Sequence, residues 1–202
     1  MVAAPPDTPV LVVTGPSGVG KGTLIRGLLD RLPGVQLAVS ATTREPRADE
    51  INGRDYHYLS PGEFEARAQG GEFVEHAEYA GNRYGTLRSE LERPAAAILL
   101  EVDLQGARQV RATLPAAVQV FVAPPSVADL EQRLRARGSD SAEQIARRLE
   151  AAPTELAAQK EFSRVVINDD LRRALTELVD IAASMYDSDE RRPPFATEGA
   201  DP

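Results

Sequence analysis

Short apolar runs and helical periods alternate along this chain. Val10–Val13, Val35–Val39, Ile98–Val102, Val118–Val122 and Val165–Ile167 are largely apolar runs, interrupted only by Gln36, Glu101 and Gln119, the pattern of strands buried on both faces. Between them, apolar residues recur every three or four positions. Leu24, Leu28, Leu29 and Leu32 form one such stripe, Leu130 and Leu134 a second, Ile145 and Leu149 a third. Leu171, Leu175, Leu178, Val179 and Ile181 mark the last. Strands alternating with helices predict an α/β fold, a central parallel sheet with helices on both faces.

Two stretches break the alternation. Arg44–Arg93 is polar and rich in Gly and Tyr, which predicts short strands and turns with one helix near Pro61–Gln69. Ser126–Gln159 holds helical periods and no strand run. Both are expected to be inserts riding on the core sheet. The expected division is one domain over 8–190, with its core in 8–39, 94–125 and 160–190. The inserts take 40–93 and 126–159, and 1–7 and 191–202 are expected to be flexible tails.

Composition narrows the function classes. The chain has 202 residues, 42% hydrophobic and 27% charged, which fits one ordinary globular domain. It has no Cys, so thiolate metal sites, disulfides and Cys nucleophiles are excluded. A net charge of −8 argues against a general nucleic-acid surface, so phosphate would have to be bound in a local pocket. No apolar run approaches the ~20 residues of a membrane span, and Met1–Pro9 lacks the regions of a secretory signal. The expectation is a cytoplasmic protein with small-molecule partners and neither nucleic acid nor membrane; whether it forms a homo-oligomer stays open.

The first strand run leads directly into Gly15-Pro16-Ser17-Gly18-Val19-Gly20-Lys21-Gly22-Thr23 and then a helical stripe. Gly15, Gly20 and Lys21 have the spacing of a P-loop. Glycines let backbone N–H groups converge on phosphate oxygens, the helix N-terminus adds its dipole, and a Lys supplies a point charge. The strict pattern has Ser or Thr directly after the Lys, as a Mg²⁺ ligand. Gly22 stands there instead. The Lys-Gly-Thr ending resembles adenylate kinases, which implies Mg²⁺ held through phosphate and water, with Thr23 on the α-phosphate.

Four further segments follow in order: Ser40-Ala41-Thr42-Thr43-Arg44-Glu45-Pro46-Arg47, Asn52-Gly53-Arg54-Asp55-Tyr56, Glu72-Phe73-Val74-Glu75-His76-Ala77, and Gly81-Asn82-Arg83-Tyr84-Gly85-Thr86. Behind a Gly-Pro-Ser-Gly loop they resemble the guanylate kinase family, over roughly 11–170. The resemblance implies transfer of the γ-phosphate of ATP to GMP, and to dGMP, within purine nucleotide metabolism. It makes 40–93 the GMP-binding insert and 126–159 a helical lid. Arg44, Arg47, Tyr56 and Tyr84 would then grip the GMP phosphate, and Ser40, Glu75 and Thr86 would read the base. Guanine offers two donors on one edge, N1–H and the 2-amino group, and a carboxylate can accept both. Adenine has an acceptor at N1, so the same carboxylate would face it lone pair to lone pair.

A further piece is Ile98-Leu99-Leu100-Glu101-Val102-Asp103, an apolar strand ending in acids. Regular alternation would let only one of Glu101 and Asp103 face the site, and Asp103 is the one expected there, near GMP and water-bound Mg²⁺. The lid carries Arg133, Arg135, Arg137, Arg147 and Arg148, with a Gly138 break and a capping box at Ser141. The family resemblance implies Arg137 and Arg148 on the transferring phosphate, together with Lys21 and Arg44. It implies Arg133 and Asn168 on ATP, with Asn168 touching adenine. Pro124-Pro125-Ser126 also matches the family. His57 and His76 have no metal-ligand spacing and read as structural. Two rivals stand beside this reading. One is another P-loop kinase acting on AMP or a phosphorylated sugar. The other is a guanylate-kinase-like binding module without catalysis, although such modules lose the loop Lys and lid arginines that this chain keeps.

Overall fold

A computed structural model describes residues 8–79, 81–136 and 141–185. Five parallel strands form the core sheet, in the order β2-β7-β1-β8-β9: β1 (Val10–Thr14), β2 (Val35–Leu37), β7 (Ala97–Glu101), β8 (Val118–Ala123) and β9 (Arg164–Ile167). The helices α1 (Lys21–Arg31), α4 (Val127–Ala136), α5 (Ala142–Ala157) and α6 (Leu171–Ala183) supply one buried layer, and α3 (Leu104–Thr113) supplies the other.

Strand alternation feeds both layers. Leu11, Val13, Leu99, Val120 and Val122 pack with Leu24, Leu28, Leu134 and Leu178, whereas Val10, Val12, Ile98, Leu100 and Phe121 pack with Ala107 and Val110. Burial on both faces is why these strands read as near-continuous apolar runs.

A second sheet of four short strands stands apart, in the order β4-β3-β6-β5: β3 (Ser40–Thr42), β4 (His57–Tyr58), β5 (Phe73–Tyr79) and β6 (Asn82–Leu87). Its own core is small: Ala41, Phe64, Phe73 and Leu87, beneath α2 (Pro61–Gln69). Ser60 and Glu63 form a capping box on α2, as do Ser141 and Gln144 on α5.

The structure corrects one predicted strand. The run Val35–Val39 ends as core strand at Leu37, and the chain re-enters sheet structure at Ser40 in the other sheet. The Val39 N–H is captured by the Glu90 carboxylate at 2.8 Å, so no neighbouring strand takes it. Glu90 is buried and also meets His57 and Arg93, each at 2.8 Å. A buried carboxylate with three such partners fixes the corner where the chain leaves the core.

Candidate active site

A cavity of ≈ 520 Å³ lies between the two sheets. Gly15, Ser17, Lys21 and Arg148 line one end, and Ser40, Tyr56, Glu75 and Tyr84 line the other. Glu101, Asp103 and Glu155 also border it.

At the first end, β1 stops at Thr14 and the loop turns sharply into α1. Gly15 has φ 140°, and a Cβ there would sit 2.1 Å from Val122 O. Gly20, at φ 103°, leaves room for Asn168, whose Nδ2 would lie 2.6 Å from a Cβ. These two positions need glycine for packing as well as for phosphate approach. Gly22 faces open space, so no neighbouring atom excludes a side chain there.

The Lys21 ammonium donates to Gly15 O at 2.7 Å and Pro16 O at 3.1 Å, which holds it across the loop mouth. Burial lowers its pKa, opposed by the charges of Glu101, Glu155 and Asp103. From the lid helix α5, Arg148 donates to Ser17 Oγ at 2.7 Å. Arg133, on α4, donates to Val19 O at 3.1 Å and to Asn168 O at 2.7 Å. Asn168 is buried and donates to the same Val19 carbonyl at 2.8 Å. Both residues thus brace the loop from behind, and neither borders the cavity. Pro16, Gly18, Val19, Gly20, Gly22 and Thr23 do not line it. Arg137 and the Gly138 break fall outside the described residues.

At the other end, the antiparallel register sets Ser40 opposite Thr86 and Thr86 opposite Glu75. The three predicted base readers therefore form one row across three strands. Thr86 is buried and donates through Oγ1 to Glu75 Oε1 at 2.8 Å. Glu75 is 6% exposed, and its carboxyl is pushed up to about 7, mainly by burial, with the Asp103 charge adding and the Thr86 bonds opposing. Tyr56 and Tyr84 meet edge to face at 6.1 Å.

The two predicted phosphate arginines take a different place. Arg44 is held by both oxygens of Glu50, at 2.8 and 2.9 Å, beside the Tyr56 and Tyr58 rings. Arg47 is exposed and gives its backbone N–H to Glu50 at 2.8 Å. Three donors, Arg44, Arg47 N and Tyr58 Oη (at 2.7 Å), bring Glu50 down to about 2, with the Arg44 bond the largest cause. Neither arginine borders the cavity in this conformation.

The expectation that only one of Glu101 and Asp103 could face the site is corrected. β7 ends at Glu101, and Asp103 caps α3 by accepting from Gly106 N at 2.7 Å. Strand alternation stops between them, and both line the cavity. Three residues were missed by sequence reasoning. Glu155 looks like an ordinary solvated helix acid until α5 folds over Lys21, and burial raises its pKa. Glu50 and Tyr58 carry no signal beyond proximity to Arg44.

The guanylate kinase family model matches residues 7–185. A guanylate kinase of Thermosynechococcus vestitus is 51% identical over 179 residues, covering 87% of this chain and 94% of that protein. One from Synechococcus sp. (strain CC9311) is 53% identical over 170 residues, covering 83% and 90%. The crystal structure of guanylate kinase from Anaplasma phagocytophilum superposes with a TM-score of 0.71 at 29% identity, covering 89% of this chain and 87% of that one.

Proposed function

The chain belongs to the guanylate kinase family and is an ATP:GMP phosphotransferase, and from that premise we propose how its residues divide the transfer. The observation that carries the division is the single cavity with Lys21 at one end and the Ser40–Thr86–Glu75 row at the other. ATP phosphates lie in the loop Gly15–Thr23, with Lys21 exchanging its carbonyl partners for phosphate oxygens. Arg133 and Asn168 support the loop and border the adenine. GMP lies across the second sheet, its base on Ser40, Glu75 and Thr86. Its phosphate meets Tyr56 and Tyr84, with the exposed Arg47 drawn in, and Arg44 drawn in as the dianion competes for it with Glu50.

Phosphoryl transfer asks the protein for alignment, charge neutralisation and exclusion of water rather than covalent chemistry. The GMP phosphate is itself the nucleophile, so no general base is needed. Lys21, Arg44, Arg148 and Arg137 stabilise charge on the moving group, and each such contact can be worth ~10³-fold or more in rate. The core, the acceptor insert and the lid move as separate parts, and closure of both inserts brings donor and acceptor together.

Mg²⁺ travels with ATP. The carboxylates of Glu101 and Asp103 border the cavity on the side of Lys21, which suits a hydrated cation carried by phosphate, and Gly22 contributes no hydroxyl. Bound there, it would neutralise part of the phosphate charge. Both substrates argue for a cytoplasmic location. By the family resemblance, dGMP is expected to serve as acceptor as well.

Selection against AMP rests on Glu75. A buried carboxylate facing an adenine N1 lone pair should discriminate by ~10⁴-fold. The test is ADP release from MgATP with GMP, dGMP, AMP or no acceptor. Turnover with GMP and dGMP alone is expected. Comparable turnover with AMP would overturn the Glu75 assignment.

A further inference from the structure

Glu75 owes its direction to an irregularity in β5. In the ladder with β6, Phe73 pairs with Leu87, but Thr86 pairs with Glu75, so Val74 is one residue too many. In a regular strand, residues 73 and 75 would share a face. The bulge sends Glu75 to the face of Thr86, away from that of Leu87, which carries the small apolar core. Val74 goes instead into the layer beneath α3. A bulge on an edge strand leaves outer backbone groups without a strand partner, and something else must hold it.

Helix α3 does so with side chains. Gln109 accepts from His76 N at 3.0 Å and donates to His76 O at 2.7 Å, pairing with both outer backbone groups of the residue after Glu75. Thr113 Oγ1 reaches Val74 O at 3.2 Å on the other side of the bulge. One turn nearer the helix start, Gly106 supplies space. A Cβ there would lie 2.7 Å from Glu75 Oε2 and 3.2 Å from its Cδ. The carboxylate is thus bracketed, Oε1 held by Thr86 and Oε2 seated against a bare stretch of helix.

We propose that Gly106 and Gln109 are positioning residues for guanine selection, with α3 serving as the template on which the bulged strand aims Glu75. The inference rests on the reading of Glu75 as the guanine-binding carboxylate. It accounts for a glycine in the first turn of a helix, where its φ is not in the left-handed region and alanine would otherwise be favoured. It also makes the helix that follows the acidic strand end the rigid link between core and acceptor pocket.

The test compares Gly106→Ala, Gln109→Ala and Glu75→Gln with the unmodified protein. Steady-state ADP release is measured with GMP and with IMP, which lacks the 2-amino group, alongside the KM for ATP and the Tm. Both α3 variants are expected to raise the KM for GMP by about tenfold and to narrow the preference for GMP over IMP. The KM for ATP should stay within about twofold. If Gly106→Ala does not fold, Gln109→Ala decides alone. Should the α3 variants keep the original GMP values while Glu75→Gln loses them, the inference is overturned and the Glu75 reading survives. Equal rises in both KM values with a fall in Tm would make α3 a general structural support, which also overturns it. If Glu75→Gln itself leaves the GMP-to-IMP preference intact, the Glu75 reading falls and takes the inference with it.

Discussion

At the donor end of the cavity, side chains are bonded mostly to backbone: Lys21 to Gly15 O and Pro16 O, Asn168 and Arg133 to Val19 O. At the acceptor end they are bonded to one another: Thr86 to Glu75, and Arg44 and Tyr58 to Glu50. The donor loop also leans on the large core layer, whereas the acceptor sheet has four buried apolar residues of its own. A loop that must cradle phosphate is held by parts that cannot change sign or length. A pocket that must tell one base from another is built from groups whose charge and direction matter, and these can be altered singly. The two ends should therefore fail differently.

Lys21→Ala tests the donor end most severely. Turnover is expected to fall by ~10³-fold or more, about 4 kcal/mol of barrier, while GMP binding measured by calorimetry is retained. A loss of GMP affinity of the same size would mean that the two ends are not separable.

Glu75→Gln should come next. The kcat/KM for GMP is expected to fall by ~10²-fold with the KM for ATP unchanged. In the unmodified protein the same quantity should fall as pH drops through about 7, because Glu75 then takes up a proton and can no longer accept both guanine donors. The variant should lack that limb. Stability should move the opposite way. The folded-state pKa is raised above 4.5, so the stabilising protonated form is fully present below 4.5 and is lost as pH rises through about 7. Glu75→Gln should therefore be the more stable protein at pH 8, by roughly 3 kcal/mol in urea unfolding, and no more stable at pH 4.

Asn168→Ala sharpens the contrast from behind the loop. It leaves the Val19 carbonyl with Arg133 alone and opens a buried space, which should cost ~2 kcal/mol and lower Tm by roughly 4–8 °C. The KM for ATP should rise and that for GMP should not. Glu50→Gln has the smallest expected effect. It weakens the hold on Arg44, so the KM for GMP should shift by about threefold to tenfold, with ATP unaffected. A change in the ATP value would show that the acceptor insert also sets the donor loop.

Much of the fold was legible because most core elements carry their own period; α3, over Leu104–Thr113, did not stand out in this way. The strands buried on both faces were mostly apolar runs, and α5 announced itself by its capping residues. The single misread strand failed at Val39, where a distant Glu90 takes the N–H that a neighbouring strand would otherwise have bonded. Glu101 and Asp103 were misjudged for a related reason, since the strand ends between them and alternation no longer applies.

The donor loop is contiguous, and its chemistry follows from residue types at fixed spacing; the amino-acid sequence therefore determined it, down to the absence of a hydroxyl after Lys21. The types of residue in the acceptor pocket were set there too. Their state was not. That Glu75 is aimed by a bulge and loses its charge near neutral pH, that Arg44 rests on Glu50, and that Glu155 closes over Lys21 were decided only by the tertiary structure. Burial and electrostatic coupling depend on distance in space, and the partners involved lie on separate strands and helices that no local pattern brings together.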